Sequence, residues 1–192
     1  MIATATELPG VLVIEPRVHL DDRGWFMESH SDEAFAAAVG SQMRFVQDNH
    51  SLSARGVVRG LHYQLPPSEQ GKLIRVVHGQ SFHAVVDIRR GSPSFGRAVT
   101  VTLDAVAKRQ LWVPPGFAHG LMALEDRTEV VYKVTAAWSR SAERGIRWND
   151  PAISIAWPTV ARAILSPKDA AAPLLDAADL PLPSSAQSKT QS

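Results

Sequence analysis

The sequence has no cysteine. That absence excludes disulfides, thiolate metal ligands and cysteine nucleophiles, and it suits a reducing compartment. Tyrosine is scarce, with Tyr63 and Tyr132 the only two, and lysine is confined to Lys72, Lys108, Lys133, Lys168 and Lys189. An excess of one charge is also missing. Twenty basic side chains face nineteen acidic ones for a net charge of +1, so no global basic surface points to nucleic acid or an anionic membrane. No apolar run reaches the length of a membrane span, and the opening "MIATATELPG" shows no basic stretch followed by an apolar one. A cytoplasmic location is the resulting expectation. No glycine-rich phosphate loop occurs, since "GSPSFG" lacks both the P-loop lysine and the Rossmann spacing. No HxH pair occurs either, because the residue two after His62 is Gln64.

What is present is a chain of 192 residues, 45% apolar, long enough for one domain with a sizeable core. The segments "VLVIEP", "WFMES", "FVQDNHS", "GVVRGLHYQ", "KLIRVVHG", "SFHAVVDIR", "AVTVTL", "QLWVPP", "HGLMAL" and "EVVYKV" are short and rich in β-branched, leucine or aromatic residues. Each is bounded by Gly, Pro, Asp or Ser. Many short strands at close spacing predict an all-β antiparallel sandwich or barrel such as a jelly roll, and no βα alternation supports a parallel sheet. One helix is clear: Ser31 caps it, Asp32 and Glu33 lie in its first turn, "AFAAAV" propagates it and Gly40 ends it. After "ERGIRWNDP" the chain reads as irregular or helical, broken by Pro151, Pro158, Pro167 and Pro173. The expected organisation is a single domain over 1–178 and a disordered tail over 179–192, which ends in "PLPSSAQSKTQS".

The stretch "RGVVRGLHYQLPP" carries the first chemical signal. On a strand, Leu61 and Tyr63 share one face, and Gly60, His62 and Gln64 share the other. An interior that accepts His62 and Gln64 is polar, which points to a ligand. His119 in "PPGFAHG" is placed to face the same cavity from another strand end. Lys72 opens the strand "KLIRVV" and reads equally well as a binding group or as a surface lysine. In "LSPKD", Lys168 stands beside Asp169. A carboxylate that reaches a histidine orients the ring and raises its basicity, but spacing does not say whether Asp169 reaches His62. A metal held by His62, His83 and His119 is the competing reading. Arg59 and Lys72 oppose it by adding positive charge beside a cation.

Taken in order, "DDRGWFMES", "FVQDNHSLSARGVVRGLHYQLPPSEQGKLIRVVHG", "VDIRRGSPSFG", "QLWVPPGFAHGLMAL", "VVYKVT", "ERGIRWNDP" and "LSPKD" resemble the dTDP-4-dehydrorhamnose 3,5-epimerase family from about residue 5 to 175. The resemblance implies a cupin-like jelly roll (a double-stranded β-helix) that works without metal or other cofactor, as a homodimer with exchanged strands. It implies no nucleic-acid or membrane partner. The implied substrate is dTDP-4-dehydro-6-deoxy-glucose, epimerised at C3 and C5 by proton removal next to the C4 ketone. By motif, the resemblance makes His62 the base, Asp169 its carboxylate partner, Tyr132 the acid and Lys72 a lysine at the ketone oxygen. It makes Arg59 a ligand of the sugar and phosphate region, and Arg23, Phe26 and Glu28 nucleotide contacts. Gln47, Asp48 and Asn49 form a substrate-contacting segment, and His119, Glu143 and Lys168 complete the set. Two positions depart from the family pattern. Trp138 stands where a tyrosine is usual, and an indole can still stack on a base. His83 stands where an aspartate facing the active site is usual. Strand parity with Val85 and Asp87 allows it to look into the barrel, and two readings stand: a tolerated substitution that leaves the product unchanged, or a group that alters the electrostatics around His62 or carries a second proton. That leaves single-site epimerisation at C3 or C5, a metal-dependent cupin enzyme and a catalytically silent sugar-nucleotide binder as rival readings.

Overall fold

The protein is described by a computed structural model over residues 1–182. In chain order the strands are β1 (Ile2–Ala5), β2 (Leu12–Glu15), β3 (Val18–Asp21) and β4 (Gly24–Met27), followed by helix α1 (Asp32–Val39). Next come β5 (Gln47–Ser53), β6 (Val58–Gln64), β7 (Lys72–His78), β8 (Gln80–Asp87), β9 (Ala98–Asp104) and β10 (Gln110–Val113). Then follow β11 (Phe117–Ala123), β12 (Thr128–Val134), β13 (Glu143–Gly145), the short helix α2 (Pro167–Ala170) and a 3-10 turn at Leu175–Ala177.

Six strands form one sheet in the order β1-β2-β10-β7-β12-β5, and five form a second in the order β13-β6-β11-β8-β9. β3 and β4 stand apart as a two-stranded hairpin. Every pairing between these strands is antiparallel. The two large sheets face each other as a cupin-like jelly roll, the class expected from the strand pattern.

The period of two explains the core. Ile74, Val76, Val85, Leu111, Val113 and Val130 meet between the sheets. On β8 and β10 their sequence neighbours point the opposite way and are also buried. Ala84 and Val86 pack with Leu61, Tyr63, Ile146 and Leu175. Leu73, Trp112 and Ile14 pack against Phe35 of α1. Sheets covered on both faces read as near-continuous apolar runs, which is why "FHAVVDI" and "QLWV" show no clean alternation.

Helix α1 forms as expected, with Ser31 Oγ accepting from the Ala34 amide and Gly40 at φ 79° ending it. Three short strands escape a reading by pattern: β1, β3 and β13 are three or four residues long and largely half-buried or exposed. The expected boundary at 178 falls too early. Leu180 and Pro181 are buried, and the Tyr63 hydroxyl donates to the Asp179 carbonyl at 2.7 Å. Leu180 packs with Leu61, Tyr63, Ala84 and Val86 on the outer face of the five-stranded sheet, so the packed chain continues beyond 178. The rest of the expected tail, 183–192, lies outside the described residues.

Strand β6 carries an irregularity that shapes the site. His62 pairs with His119, but Arg59 pairs with Leu121, so the register shifts between them. A bulge of this kind re-aims side chains. It brings Arg59 and His62, three residues apart, to the same cavity. Gly60 sits at the bend with φ 109°, and a Cβ there would lie 2.6 Å from the His119 carbonyl oxygen. Only glycine fits. His62 and Gln64 keep their shared parity on β6, but Gln64 faces the loop that follows the strand and not the cavity. Gln64 donates to the Ser68 and Ala137 carbonyls and accepts from the Ser139 amide. Its amide is spent on holding the loop that carries Trp138.

Candidate active site

At one mouth between the sheets lies a cavity of about 340 Å³. β6 supplies Arg59 and His62, β7 Lys72, β11 His119, β12 Tyr132 and β13 Glu143, and the α2 region supplies Lys168 and Asp169. Trp138 stands at its rim, about half exposed. An adjoining recess of about 330 Å³ adds Gln47 and Asn49 and shares His62, Lys72, Tyr132, Trp138 and Glu143. The two form one continuous trough.

The question that spacing left open is answered by α2. Ser166 caps this helix and Pro167 starts it, a placement that suits both residues. Asp169 is thereby fixed and buried, with Oδ1 2.5 Å from His62 Nε2 and Oδ2 accepting from Ser166 Oγ at 2.9 Å. Burial pushes the Asp169 carboxyl up, but the hydrogen bond from His62, the Ser166 hydroxyl and Lys168 outweigh it and hold the group below its ordinary value. An ionised carboxylate only accepts, so His62 Nε2 carries the ring proton and Nδ1 keeps the lone pair. His62 lines the cavity, and the lone pair is a base available there.

Lys72 is buried, and its ammonium donates to the His62 carbonyl at 3.1 Å. Burial lowers its pKa to about 8, against the opposing pull of Glu143. A buried ammonium beside a cavity can meet negative charge that develops there. Tyr132 is held on β12 between Asn49 of β5 and Ile74 of β7. Burial pushes its phenol above the ordinary value, with Arg59 opposing and Glu143 adding to the rise. The hydroxyl therefore keeps its proton near neutrality and can give it up to a stronger base such as a carbanion. Glu143 is bridged to Lys168 at 2.6 Å.

Not every residue expected from sequence converges here. Asp48 points to the other side of β5, where it pairs with Lys133 at 3.0 Å and lines a separate recess with His50 and Arg75. Alternation along β5 is the reason: Gln47 and Asn49 face the trough and Asp48 cannot. Arg23, Phe26 and Glu28 sit on or just after the β3–β4 hairpin, away from the trough. Arg23 pairs with Asp21 at 2.5 Å with its side chain 89% exposed, and Phe26 and Glu28 line a third recess. Sequence reasoning missed Ser51, Gln70 and Ser166, all of which line the trough or cavity. Of these, only Ser166 carries a readable signal, as a serine before a helix-starting proline.

A family model described as dTDP-4-dehydrorhamnose 3,5-epimerase matches residues 5–177. The chain belongs to this family. The dTDP-4-dehydrorhamnose 3,5-epimerase of Shigella flexneri is 55% identical over 164 residues, covering 85% of this chain and 90% of that protein. Among solved structures, the dTDP-6-deoxy-D-glucose-3,5-epimerase of Legionella pneumophila Philadelphia 1, in complex with dTDP-4-keto-L-rhamnose, superposes with a TM-score of 0.91. It is 43% identical and covers 95% of this chain and 98% of its own. ChmJ, a 3'-monoepimerase from Streptomyces bikiniensis solved in complex with dTDP-quinovose, is 33% identical with a TM-score of 0.87 over 92% of this chain and 91% of its own.

Within this family's fold, the metal reading loses its geometry. The His83 and His119 rings address each other, with His83 Nδ1 3.0 Å from His119 Nε2, and His62 Nε2 is taken by Asp169. Among the described residues, no group of three His, Cys, Asp or Glu side chains could hold a metal ion. His83 turns into the barrel interior, where its ring meets His119. It is fully buried behind His119 and does not line the cavity. Burial lowers its pKa to about 3, so it is neutral at physiological pH.

Proposed function

We propose that the protein epimerises dTDP-4-dehydro-6-deoxy-D-glucose at C3 and C5 to give dTDP-4-dehydro-L-rhamnose. The observation that carries this reading is the sharing of one cavity by the His62–Asp169 pair, Lys72 and Tyr132. A binder has no use for a base with its own orienting carboxylate beside a protonated phenol. Protons on C3 and C5 are acidic because each lies next to the C4 ketone. His62 Nδ1 removes one as its C–H electrons flow into the ring carbonyl, and Asp169 stabilises the imidazolium that forms. Negative charge then gathers on the C4 oxygen, which Lys72 meets. Tyr132 returns a proton to carbon from the opposite face, and the centre is inverted. Solvent restores the phenol and takes the proton from His62, and the cycle repeats at the second centre. Arg59 and Lys168 supply positive charge for the diphosphate, and Trp138 offers an indole for the base to stack on.

Arg23, Phe26 and Glu28 fit the same reading only through a second copy. On the β3–β4 hairpin, Leu20, Trp25 and Phe26 are exposed at 81%, 56% and 70%. So much open apolar surface on one small hairpin favours a partner. In a homodimer that exchanges this hairpin, the three residues contact nucleotide in the neighbouring trough. A cytoplasmic setting agrees with the cysteine-free composition.

The test is turnover of the dTDP-ketosugar in deuterated water, with and without a chelator, followed by NMR of the product. Two inverted and deuterated carbons at undiminished rate are expected. One deuterated carbon would make the enzyme a single-site epimerase, and loss of rate with chelator would make it metal-dependent.

A further inference from the structure

Behind the cavity runs a row of polar groups that these proton transfers leave unused. Ser81 and His83 lie on β8, and His119 lies on the neighbouring strand β11. Ser81 and His83 are both fully buried. Ser81 Oγ is 2.7 Å from His83 Nε2, and His83 Nδ1 is 3.0 Å from His119 Nε2. The two rings are nearly parallel, 19° apart with centroids 5.3 Å from each other. Among the described residues, the Ser81 hydroxyl has no other hydrogen-bond partner.

The direction of this chain follows from donor and acceptor counting. A buried hydroxyl proton needs an acceptor. For Ser81 the acceptor is His83 Nε2, so the His83 proton resides on Nδ1 and is donated to His119 Nε2. The His119 proton is then on its own Nδ1. Reversing the chain would direct His83 Nε2–H at Ser81 and strand the serine proton in the core, a costly arrangement. Among the described residues, the buried side-chain atoms left without a partner are His30 Nδ1 and Arg109 Nε. His119 Nδ1 is not one of them and makes no bond to protein, so it opens on the cavity that His119 lines.

We propose that Ser81 and His83 are positioning residues that fix His119 as a neutral hydrogen-bond donor, its Nδ1–H offered to an oxygen of the sugar that gains negative charge during proton removal. The proposal rests on the epimerase reading above and deepens it. A neutral donor supplements Lys72 without placing another cation beside it. Burial, His83, Lys72 and His62 all disfavour a charged His119. A nitrogen that already holds a proton also cannot act as a base, so this polarity reserves proton abstraction for His62 and keeps His119 from competing with it.

Nitrogen-15 NMR of the full chain labelled at histidine tests the polarity without substrate. Both His83 and His119 are expected to show protonated Nδ1 and unprotonated Nε2. A His119 protonated on Nε2, or on both nitrogens at neutral pH, would overturn the proposal. In Ser81→Ala the serine constraint is gone, so mixed or reversed tautomers are expected at both rings. Loss of one oxyanion donor costs about 10²–10³ in kcat. Ser81→Ala is expected to lose roughly 10-fold, because part of the population keeps the donor tautomer. KM should stay within about 2-fold, since the donor acts mainly in the transition state. Ser81→Thr, which keeps a hydroxyl, is expected to recover both the tautomers and the rate. Unchanged tautomers and unchanged kcat in Ser81→Ala would refute the role of Ser81. Nδ1–H tautomers in a wild-type protein that fails to turn over the dTDP-ketosugar would uphold the polarity and refute the reaction instead.

Discussion

Replacing His62 by alanine is expected to abolish exchange of the sugar's α protons with solvent and to lower kcat by roughly 10³–10⁴, the upper part of the range for a positioned general base. Affinity for dTDP should stay within a few fold of the wild type, because the groups offered to the diphosphate and the base lie elsewhere in the trough. The size of the effect follows from the geometry. Asp169 reaches only the Nε2 of His62, and the other imidazole lining the cavity, His119, is held against His83. No second lone pair of similar basicity stands ready. Solvent deuterium uptake into substrate, read by NMR alongside dTDP titration, checks both halves. Exchange at the wild-type rate would remove His62 from the mechanism, and a dTDP affinity that fell with it would make its role one of binding.

Tyr132→Phe separates the two faces of the reaction. The phenyl ring keeps the packing of Tyr132 against the core between the sheets, so the fold should be intact. What is lost is one hydroxyl and its proton. Inversion should fall by about 10²–10⁴, as expected for loss of an acid. Washout of the α proton should persist, because His62, Asp169 and Lys72 still form the enolate and can return a proton to the face it left. The expected signature is therefore deuterium incorporated with retained configuration. Wild-type turnover would mean that another group supplies the second proton. Loss of exchange together with inversion would mean that Tyr132 is needed to form the enolate at all.

Local signals made much of this architecture legible from sequence. Ten of the strand-like runs became strands, because β-branched and aromatic clusters end at Gly, Pro, Asp or Ser. The N-cap and the glycine stop defined α1. Residue motifs singled out His62, Lys72, His119, Tyr132, Glu143, Lys168 and Asp169, and these side chains line one cavity. What stayed hidden was nonlocal. The contact between His62 and Asp169 spans 107 positions and depends on a four-residue helix packed under the trough. The bulge at Gly60 could not be read from alternation, so Arg59 was left off the face of His62, and the polar character read into that face belongs in part to Gln64's three loop contacts. Asp48 came in with its motif, although parity on β5 turns it away. His83 was rightly singled out as a departure, yet its partner, Ser81, has no signal in sequence. A buried serine on a strand looks like any other small residue until the ring it holds is seen.

The central claim is that an imidazole and a phenol address one ketosugar from opposite sides. A crystal structure of the protein with an unreactive dTDP-hexose tests it most directly. The expected result has His62 Nδ1 within hydrogen-bonding range of one face of the ring at C3 or C5 and the Tyr132 hydroxyl on the other face, with Lys72 at the C4 substituent. A sugar bound with both groups on the same face, or seated where only one of them reaches it, would contradict the account.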